Sequence, residues 1–400
     1  MADDVQLYEG AEKTLRVLFG SSGVLREQSP GSESGRETLV DVTRTQWAQL
    51  LEPTGCTILS ELRTSAACAY VLSESSLFVA HAEVMVKTCG QSHLLALLAP
   101  LLELARGLGL TPRALSYGHK AFACQDAQPA PYCDAFAAEI GELDAVLAAA
   151  SPAAAAPTAA ASVFTGPGDT YWVYHAAWTA PDSPASFTLP APADFGALAK
   201  LEIMLVNPDT AALAQFDVAA VRDAALADPL VERPVTAAEL LDMVPPARPV
   251  PGAGAEPAVG DSPLAGHLVD AHVFDPCGYS FNALGAPGLA RATTPFATVH
   301  VTPNAPAPYL SFETSESSFA AAARALPTML AKCRPQHALL VVTGAGDDKL
   351  AGADAVASLA ARHGYAASTA SNRPLPTKLD RPGACLVDLP AVYHLMPRPQ

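Results

Sequence analysis

The sequence is short of basic residues, and this shortage excludes one large class of partner. Its 24 lysines and arginines are outnumbered by 40 aspartates and glutamates, which gives a formal net charge of −16 at pH 7. Proteins that bind nucleic acids neutralise phosphates with positive charge, so we expect no nucleic-acid partner. A small cationic molecule would be attracted by a field of this sign.

Long apolar runs are also missing. The longest candidate, residues 94–105, contains Pro100 and Glu103, and it predicts a buried helix instead of the roughly 18 apolar residues of a membrane span. The acidic N-terminus, MADDVQLYEGAEK, has neither the basic nor the apolar part of a signal peptide. We therefore expect a soluble cytoplasmic protein with no membrane partner.

Closely spaced cysteine pairs, which hold zinc in many proteins, do not occur. The eight cysteines are spread along the chain, at Cys56, Cys68, Cys89, Cys124, Cys133, Cys277, Cys333 and Cys385. Without a secretory signal they are expected to be reduced thiols and not disulfides. No metal site is predicted.

Strand-like and helix-like segments alternate along the chain. Apolar and β-branched residues predict strands at 56–63, 68–73, 76–89, 170–178, 201–207, 295–302, 309–314 and 338–344. Helical patterns lie between them, at 90–109, 135–150, 318–333 and 353–364. Many strands separated by a few helices favour an α+β fold with largely antiparallel sheets.

Three stretches rich in alanine and proline interrupt this alternation, at 150–162, 180–196 and 245–263. Proline removes a backbone donor from a helix, and these stretches contain little that could be buried in a core. We interpret them as surface insertions within one domain that spans residues 1–400.

The most informative segment is AYVLSESSLFV, at residues 69–79. Apolar residues flank a polar run, Ser73-Glu74-Ser75-Ser76, that lacks the glycine, asparagine or proline usual in a hairpin turn. General rules alone describe it as a serine-rich loop. The amino-acid sequences of this segment and of five further motifs point to a more specific interpretation.

Together these motifs resemble one enzyme family. YVLSESSLFV followed by KTCG (87–90) resembles the proenzyme processing site of eukaryotic S-adenosylmethionine decarboxylases. Four other segments resemble further signatures of that family and stand in the family's order: YEGAEK (8–13), FDPCGYSFN (274–282), HVTPN (300–304) and YLSFET (309–314). The resemblance implies a four-layer αββα sandwich, with two antiparallel sheets face to face and helices outside.

The resemblance also implies that the chain cuts itself between Glu74 and Ser75. The β-chain, residues 1–74, and the α-chain, residues 75–400, would stay associated with each other. Ser75 would become a pyruvoyl group, whose ketone forms a Schiff base with the substrate amine and accepts the electrons released by decarboxylation. No metal and no diffusible cofactor would be needed.

Further site residues follow from the same resemblance. Ser280 and His300 match two family residues that handle protons during processing, and histidine suits acid–base work. Cys89 matches the family's proton donor to the substrate carbon. Glu9 and Glu12 match acidic residues of the family's active site, although alone they would be interpreted as an exposed charged turn.

The expected substrate is S-adenosylmethionine. Tyr8 and Phe274 match two aromatic residues that enclose the adenine ring, and Glu74 matches a residue that contacts adenine through its backbone. One match fails, because Asn304 stands where the family has a glutamate that binds the ribose hydroxyls. An asparagine side chain cannot form the charge-assisted hydrogen bonds that the two oxygens of a glutamate form with these hydroxyls, so we expect a higher KM or an altered substrate.

Activation by putrescine is not expected. In animal members of the family, buried acidic residues bind this diamine, and Lys87, Glu202 and Glu313 match that network. Arg16 and Leu198, however, stand where two further acids would be. An arginine at this place would compete with a diamine as a built-in cation.

The expected activity is decarboxylation of S-adenosylmethionine to the aminopropyl donor for spermidine and spermine synthesis. There are three alternatives. The chain could be a pyruvoyl decarboxylase for another amino acid, which Asn304 motivates, or a non-catalytic paralogue that activates a true decarboxylase. It could also be a generic small-molecule binding module, which predicts a single uncut chain on a denaturing gel.

Overall fold

In the computed structural model, the described residues are 9–21, 38–150, 158–179, 186–187, 200–216, 267–274, 278–285, 294–303, 306–315, 319–343, 353–369, 373–375, 385–386 and 391–398. They form two large antiparallel sheets, a two-stranded parallel ribbon and six α-helices. Among these residues, no helix has both the length and the apolar character needed to cross a membrane.

The first sheet has nine strands: β1 (Lys13–Ser21), β2 (Ile58–Arg63), β3 (Ala67–Leu72), β4 (Ser75–Ala80), β5 (Glu83–Thr88), β6 (Leu110–Lys120), β7 (Thr158–Thr165), β8 (Tyr171–Thr179) and β17 (Arg373–Leu375). Their order is β17-β7-β8-β6-β1-β5-β4-β3-β2. β3, β4 and β5 are buried over their whole length, because helices cover one face and the second sheet covers the other.

The second sheet has eight strands: β10 (Lys200–Val206), β11 (His267–Val273), β12 (Tyr279–Gly285), β13 (Phe296–Thr302), β14 (Tyr309–Thr314), β15 (His337–Thr343), β16 (Tyr365–Thr369) and β19 (Ala391–Pro397). Their order is β11-β12-β13-β14-β10-β15-β19-β16. The ribbon pairs β9 (Ser186–Phe187) with β18 (Cys385–Leu386).

The helices are α1 (Arg44–Leu51), α2 (Leu98–Gly107), α3 (Phe136–Ala149), α4 (Thr210–Leu213), α5 (Phe319–Cys333) and α6 (Ala353–Arg362). Helices α1 to α3 pack their apolar residues against the outer face of the first sheet. Helices α5 and α6 do the same on the second sheet. This arrangement confirms the predicted four-layer αββα sandwich.

Successive side chains of a β-strand point to opposite faces of the sheet, and this alternation decides which layer each side chain enters. On β10, Leu201 and Ile203 join the core beneath α5 and α6, whereas Glu202 faces the first sheet. Between the sheets, Phe78 of β4 contacts Phe296 of β13 with ring centroids 5.0 Å apart. The space between the two sheets therefore holds charged groups as well as apolar ones.

Two predictions about segments are corrected by the structure. The predicted strand 76–89 is a hairpin of β4 and β5 that turns at His81 and Ala82, neither of which is a usual turn residue. The stretch 150–162, interpreted above as an insertion, contains the start of β7, because each of its residues 158–162 pairs with a residue of β8. Of 180–196, only the strand β9 is described, and 245–263 lies outside the described residues.

Candidate active site

Ser75 begins β4 in an unusual backbone conformation. Its φ is 133°, where a non-glycine residue carries a strain of about 1–3 kcal/mol. In a regular strand, consecutive side chains point to opposite faces. At this distorted position, Ser75 Oγ and Ser76 Oγ both lie near His300 Nε2, at 3.0 and 3.3 Å. The strained residue therefore places two buried hydroxyls beside one imidazole.

His300 is held in place by Ser280. The two residues are cross-strand partners on β13 and β12, and Ser280 Oγ lies 2.7 Å from His300 Nδ1. A proton on Nδ1 can be donated to Ser280, which leaves Nε2 to accept one from Ser75. Burial, reinforced by the positive charge of Lys87, lowers the pKa of His300 well below its usual value. The ring is therefore neutral at pH 7 and able to act as a base.

A second cross-strand pair, Asn282 and Thr298, lies next to Ser280 and His300. Ser76 Oγ donates to Asn282 Oδ1 at 2.6 Å, and Thr298 Oγ1 lies 3.0 Å from the same oxygen. Thr298 Oγ1 is also 2.9 Å from His300 Nε2. Ser76 thus has its shortest contact with the amide, and Ser75 has its shortest contact with the imidazole.

Glu12 lies beside Ser75 and His300 in the same buried site. Its Oε1 accepts from Ser75 Oγ at 3.4 Å, and it lies 3.4 Å from His300 Nε2 and 3.9 Å from Lys87 Nζ. Tyr309 donates its hydroxyl to Oε2 at 3.2 Å. Burial raises the pKa of Glu12 to about 7, against the opposing effect of Lys87. This carboxyl group can therefore exchange a proton near neutral pH.

Cys89 follows β5 and contacts the peptide carbonyl of Glu74. Its backbone N–H donates to Glu74 O at 2.9 Å, and its Sγ lies 3.2 Å from the same oxygen. Two donors aimed at one carbonyl oxygen can stabilise negative charge that develops there. The predicted proton donor therefore lies directly at the predicted cleavage site.

Glu9 is buried, in contrast to the exposed turn that its local sequence suggests. Its carboxylate accepts from the N–H groups of Ala123 and Cys124, at 2.6 and 2.9 Å, and Lys120 Nζ lies 3.5 Å away. Its carbonyl oxygen accepts from the N–H of Gly90 at 2.9 Å. Glu9 thus ties the N-terminal segment to the loops that follow β5 and β6.

The residues predicted to bind the substrate are only partly described. Phe274 and Glu74 lie in described segments, whereas Tyr8 and Asn304 lie outside them. Phe274 follows β11, and its N–H donates to the carbonyl of Gly278 at 2.9 Å. Gly278 has a φ of 120°, which other residues rarely adopt, and its hydrogen bond keeps Phe274 next to the residue that precedes β12.

A buried charge network lies between the sheets next to Glu12. Lys87 Nζ binds Glu313 and lies 2.9 Å from Glu202 Oε1. Lys200 Nζ lies 2.9 Å from Glu202 Oε2 and 3.7 Å from Glu313 Oε1. Burial alone would lower the pKa of Lys87, but the three nearby carboxylates raise it well above its usual value. Two lysines thus balance Glu202 and Glu313, which are the two acids that the sequence analysis expects to match the family network.

Arg16 lies on the same side of the first sheet and binds Glu83. The pairing is local, since Arg16 and Glu83 lie on neighbouring strands β1 and β5. The arginine therefore has its own acid partner in the layer between the sheets. Leu198, the other departure from the family network, lies outside the described residues.

The site contains residues that the sequence did not single out: Asn282, Thr298, Lys200 and Glu83. The first three could have been found from the sequence, because each lies two residues from a predicted site residue and so shares its strand face. Glu83 lies four residues before Lys87 on β5 and therefore also shares a strand face with a predicted residue, although its partner Arg16 lies on β1. A systematic search at spacing two in each strand would have found most of this set.

Comparison with known proteins agrees with the motifs. The profile of the adenosylmethionine decarboxylase family matches residues 5–377. The S-adenosylmethionine decarboxylase proenzyme of Xenopus laevis is 29% identical over 314 residues, which are 78% of this chain and 75% of that protein. The proenzyme of Vicia faba is 28% identical over 308 residues, which are 77% and 72% of the two chains.

A crystal structure of the Trypanosoma brucei AdoMetDC-delta26 monomer aligns with a TM-score of 0.44 and 14% identity, over 81% of this chain and 99% of that chain. The family profile, in contrast, extends over nearly the whole sequence. It confirms the resemblance and the prediction of an enzyme: the chain belongs to the adenosylmethionine decarboxylase family.

Proposed function

We propose that the chain is a proenzyme that cuts itself between Glu74 and Ser75 and then decarboxylates S-adenosylmethionine. The observation that carries this proposal is the 3.0 Å contact between Ser75 Oγ and His300 Nε2, next to a carbonyl with two donors. A hydroxyl beside a neutral imidazole is a nucleophile paired with its base.

In the first proposed step, Ser75 Oγ attacks the carbonyl carbon of Glu74. The hydroxyl proton passes to His300 Nε2, the new C–O bond forms and the C–N bond breaks, so that an ester replaces the amide. The freed amine takes the proton from His300. Cys89 supports the attack because its N–H and thiol point at the oxygen on which negative charge develops.

In the second proposed step, a base removes the proton from Cα of Ser75, and the bond between Cβ of Ser75 and the ester oxygen breaks. Glu74 leaves as a carboxylate, and residue 75 becomes dehydroalanine, which takes up water and releases ammonia to give the pyruvoyl group. We assign the base to His300, which Ser280 holds in place.

The two proposed products, 1–74 and 75–400, are expected to remain one folded unit. β1 and β3 of the shorter product pair with β4, β5 and β6 of the longer one. Separating the two chains would expose unpaired strand edges and the buried apolar side chains of these strands. This extensive pairing supports the proposed self-association of the β- and α-chains.

The residues around position 75 fit a pyruvoyl group. Ser75 is buried and faces Glu12 and His300, which can hydrogen-bond to a ketone and shield it from bulk water. When present, the group supplies the electron sink that decarboxylation of an amino acid requires. Cys89 is proposed to give a proton to the substrate carbon. Neither a metal nor a diffusible cofactor enters this proposal.

S-adenosylmethionine is proposed as the substrate because of the family to which the chain belongs. Tyr8 and Phe274 are proposed to stack on the adenine ring. Glu12 adds a carboxyl group at the site, which favours a sulfonium cation. Asn304 is proposed to bind the ribose hydroxyls more weakly than a glutamate would, which raises KM. The product would serve as the aminopropyl donor for spermidine and spermine synthesis in the cytoplasm.

We also propose that this activity does not require putrescine. Lys87 and Lys200 already balance Glu202 and Glu313. The cavity beside Lys200, of about 20 Å³, has room for about one water molecule and not for a diamine. The charged amines of these two lysines therefore occupy the position that the amines of putrescine would need.

Release of labelled carbon dioxide from S-adenosylmethionine tests the substrate. We expect release by the natural chain, none by Ser75→Ala, and none from ornithine or arginine. Release from ornithine or arginine alone would favour a decarboxylase for another amino acid. A correctly cut chain that acts on none of the three would favour a non-catalytic paralogue, and an uncut chain would favour a binding module.

A further inference from the structure

Three hydroxyl groups lie around one nitrogen of His300. The oxygens of Thr298, Ser75 and Ser76 are 2.9, 3.0 and 3.3 Å from Nε2. With its proton on Nδ1, donated to Ser280, the ring has a single lone pair at Nε2 and can accept one hydrogen bond there. The proposed cleavage requires that this bond comes from Ser75. Distance alone does not ensure it, because Thr298 is at least as close.

The side chain of Asn282 offers the two competing hydroxyls another acceptor. Its Oδ1 accepts from Ser76 Oγ at 2.6 Å and from Thr298 Oγ1 at 3.0 Å, and an amide oxygen has one lone pair for each. The shortest hydrogen bond of Ser75 Oγ, in contrast, is the one to His300. The protons of both competitors can therefore be held by the amide oxygen, while the proton of Ser75 stays at Nε2.

The orientation of the Asn282 amide fits this role. The side chain is completely buried, and its Nδ2 has no hydrogen-bond partner among the described residues. A buried donor without a partner is unfavourable, so a side chain needed for packing alone would be better without it. In the opposite orientation, Nδ2 would donate to both hydroxyls and leave their protons free to bind His300. The side chain thus uses its oxygen twice, as an acceptor.

We infer that Asn282 is a positioning residue for self-cleavage, which accepts the protons of Ser76 and Thr298 and so reserves Nε2 of His300 for Ser75. This inference rests on the proposed function. Asn282 itself gains and loses no proton, because the hydroxyl proton of Ser75 passes to Nε2 as in the first proposed step. The amide therefore determines which of two neighbouring serines is paired with the base.

Replacement of Asn282 by leucine removes the acceptor and keeps the approximate size of the side chain. Asn282→Leu should be cut about thirtyfold more slowly at pH 8, because two released hydroxyls then compete with Ser75 for one lone pair. At this pH Glu12, whose pKa is about 7, is mainly a carboxylate and offers no competing proton. Time courses on denaturing gels after cell-free synthesis measure the rates. Cleavage of Asn282→Leu at the natural rate would overturn the inference.

A double variant separates this role from a merely structural one. Ser76→Ala alone is expected to be about fivefold slower, so two independent losses would make Asn282→Leu with Ser76→Ala about 150-fold slower than the natural chain. We expect the double variant to be only about tenfold slower, because the hydroxyl that Asn282 restrains is then absent. Removal of Ser76 should therefore partly rescue Asn282→Leu. A double variant that is as slow as Asn282→Leu, or slower, would overturn the inference.

Thr298→Val tests the second competitor with little change in shape. It removes the hydroxyl that lies closest to Nε2 and leaves the amide of Asn282 in place. Cleavage should be about twofold faster, because one donor that competes with Ser75 is lost. A structural role of this hydroxyl predicts slower cleavage instead. An equal or slower rate would contradict the competition, and this variant decides the question even if Asn282→Leu does not fold.

The natural chain, synthesised beside the variants, separates failure of this inference from failure of the proposed function. A natural chain that stays uncut would refute self-cleavage itself. A natural chain that is cut, together with an Asn282→Leu chain that is cut equally fast, would leave self-cleavage standing and refute the role of Asn282. Thermal unfolding of Asn282→Leu in the uncut Ser75→Ala chain shows whether the substitution preserves the fold.

Discussion

At the scale of single residues, two neighbouring serines share one histidine. Ser75 Oγ and Ser76 Oγ lie 3.0 and 3.3 Å from His300 Nε2, so distance hardly separates them. The backbone distinguishes the two serines, because Ser75 has the strained φ and directly follows the carbonyl of Glu74. Ser76 has a shorter contact, at 2.6 Å, with Asn282. We therefore assign the nucleophile to Ser75.

Substitution of each serine separates the two roles. Ser75→Ala should leave the chain uncut, because no hydroxyl then follows the Glu74 carbonyl. Ser76→Ala should still be cut, about fivefold more slowly, since it loses a single hydrogen bond that helps to order the site. A time course on denaturing gels after cell-free synthesis measures both. Complete loss of cleavage in Ser76→Ala would contradict the assignment.

The rate of cleavage should depend on the ionisation of Glu12. Burial raises the pKa of this group to about 7, so its carboxylate form increases as the pH rises through that value. The carboxylate stabilises the positive charge that His300 acquires when it takes the serine proton. The pKa of His300 itself is lowered well below its usual value, so the ring is neutral throughout this range.

Cleavage should therefore accelerate about tenfold between pH 6 and pH 8. Glu12→Gln has the same size but does not ionise, and it should be slower and independent of pH. Freshly synthesised proenzyme, sampled at a series of pH values, gives the profile. A rate that falls over this range, or a Glu12→Gln profile that still rises, would exclude this role for Glu12.

At the scale of elements, the site is a product of strand register. Ser280 on β12 pairs with His300 on β13, and Asn282 pairs with Thr298, so all four side chains enter one layer. The motifs identified Ser280 and His300, and spacing along each strand could have added the other two. Sequence could not show that Ser76 meets Asn282, because the two lie on different sheets.

Charged residues were the least predictable part of the strands. β1 and β6 were missed because Lys13 and Arg16 on β1 and His119 and Lys120 on β6 interrupt the apolar pattern of a buried strand. In the structure these residues are buried, and acids from other elements pair with several of them. Strand propensity is local, whereas such pairing depends on the whole fold.

Lys200 on β10 provides a test of putrescine independence. In the natural chain, added putrescine should not raise turnover. Lys200→Met keeps the length of the side chain but removes the charge that balances Glu202 and Glu313. Turnover should fall about tenfold, which corresponds to roughly 1.4 kcal/mol, and putrescine should restore part of it.

The exposed Lys332→Met is the matched control and should behave like the natural chain. Steady-state assays with and without the diamine measure all three proteins. A clear rise in turnover of the natural chain on adding putrescine would refute putrescine independence.

At the scale of the whole molecule, the sandwich explains how a chain can be cut in its interior and stay folded. The proposed cut lies at the turn between β3 and β4, within a continuous sheet whose hydrogen bonds connect both products. The sequence motifs predicted the four layers of the sandwich, because resemblance to a family implies the complete fold of that family. Local patterns could not define β7 or the turn between β4 and β5, since neither has the usual residues.

The most direct test of self-cleavage at Ser75 is the intact mass of the purified protein under denaturing conditions. We expect two species, one with the mass of residues 1–74 and one with the mass of residues 75–400 less one ammonia. Ser75→Ala, prepared in parallel, should give one species with the mass of the full chain. A single uncut species from the natural sequence would contradict the proposal.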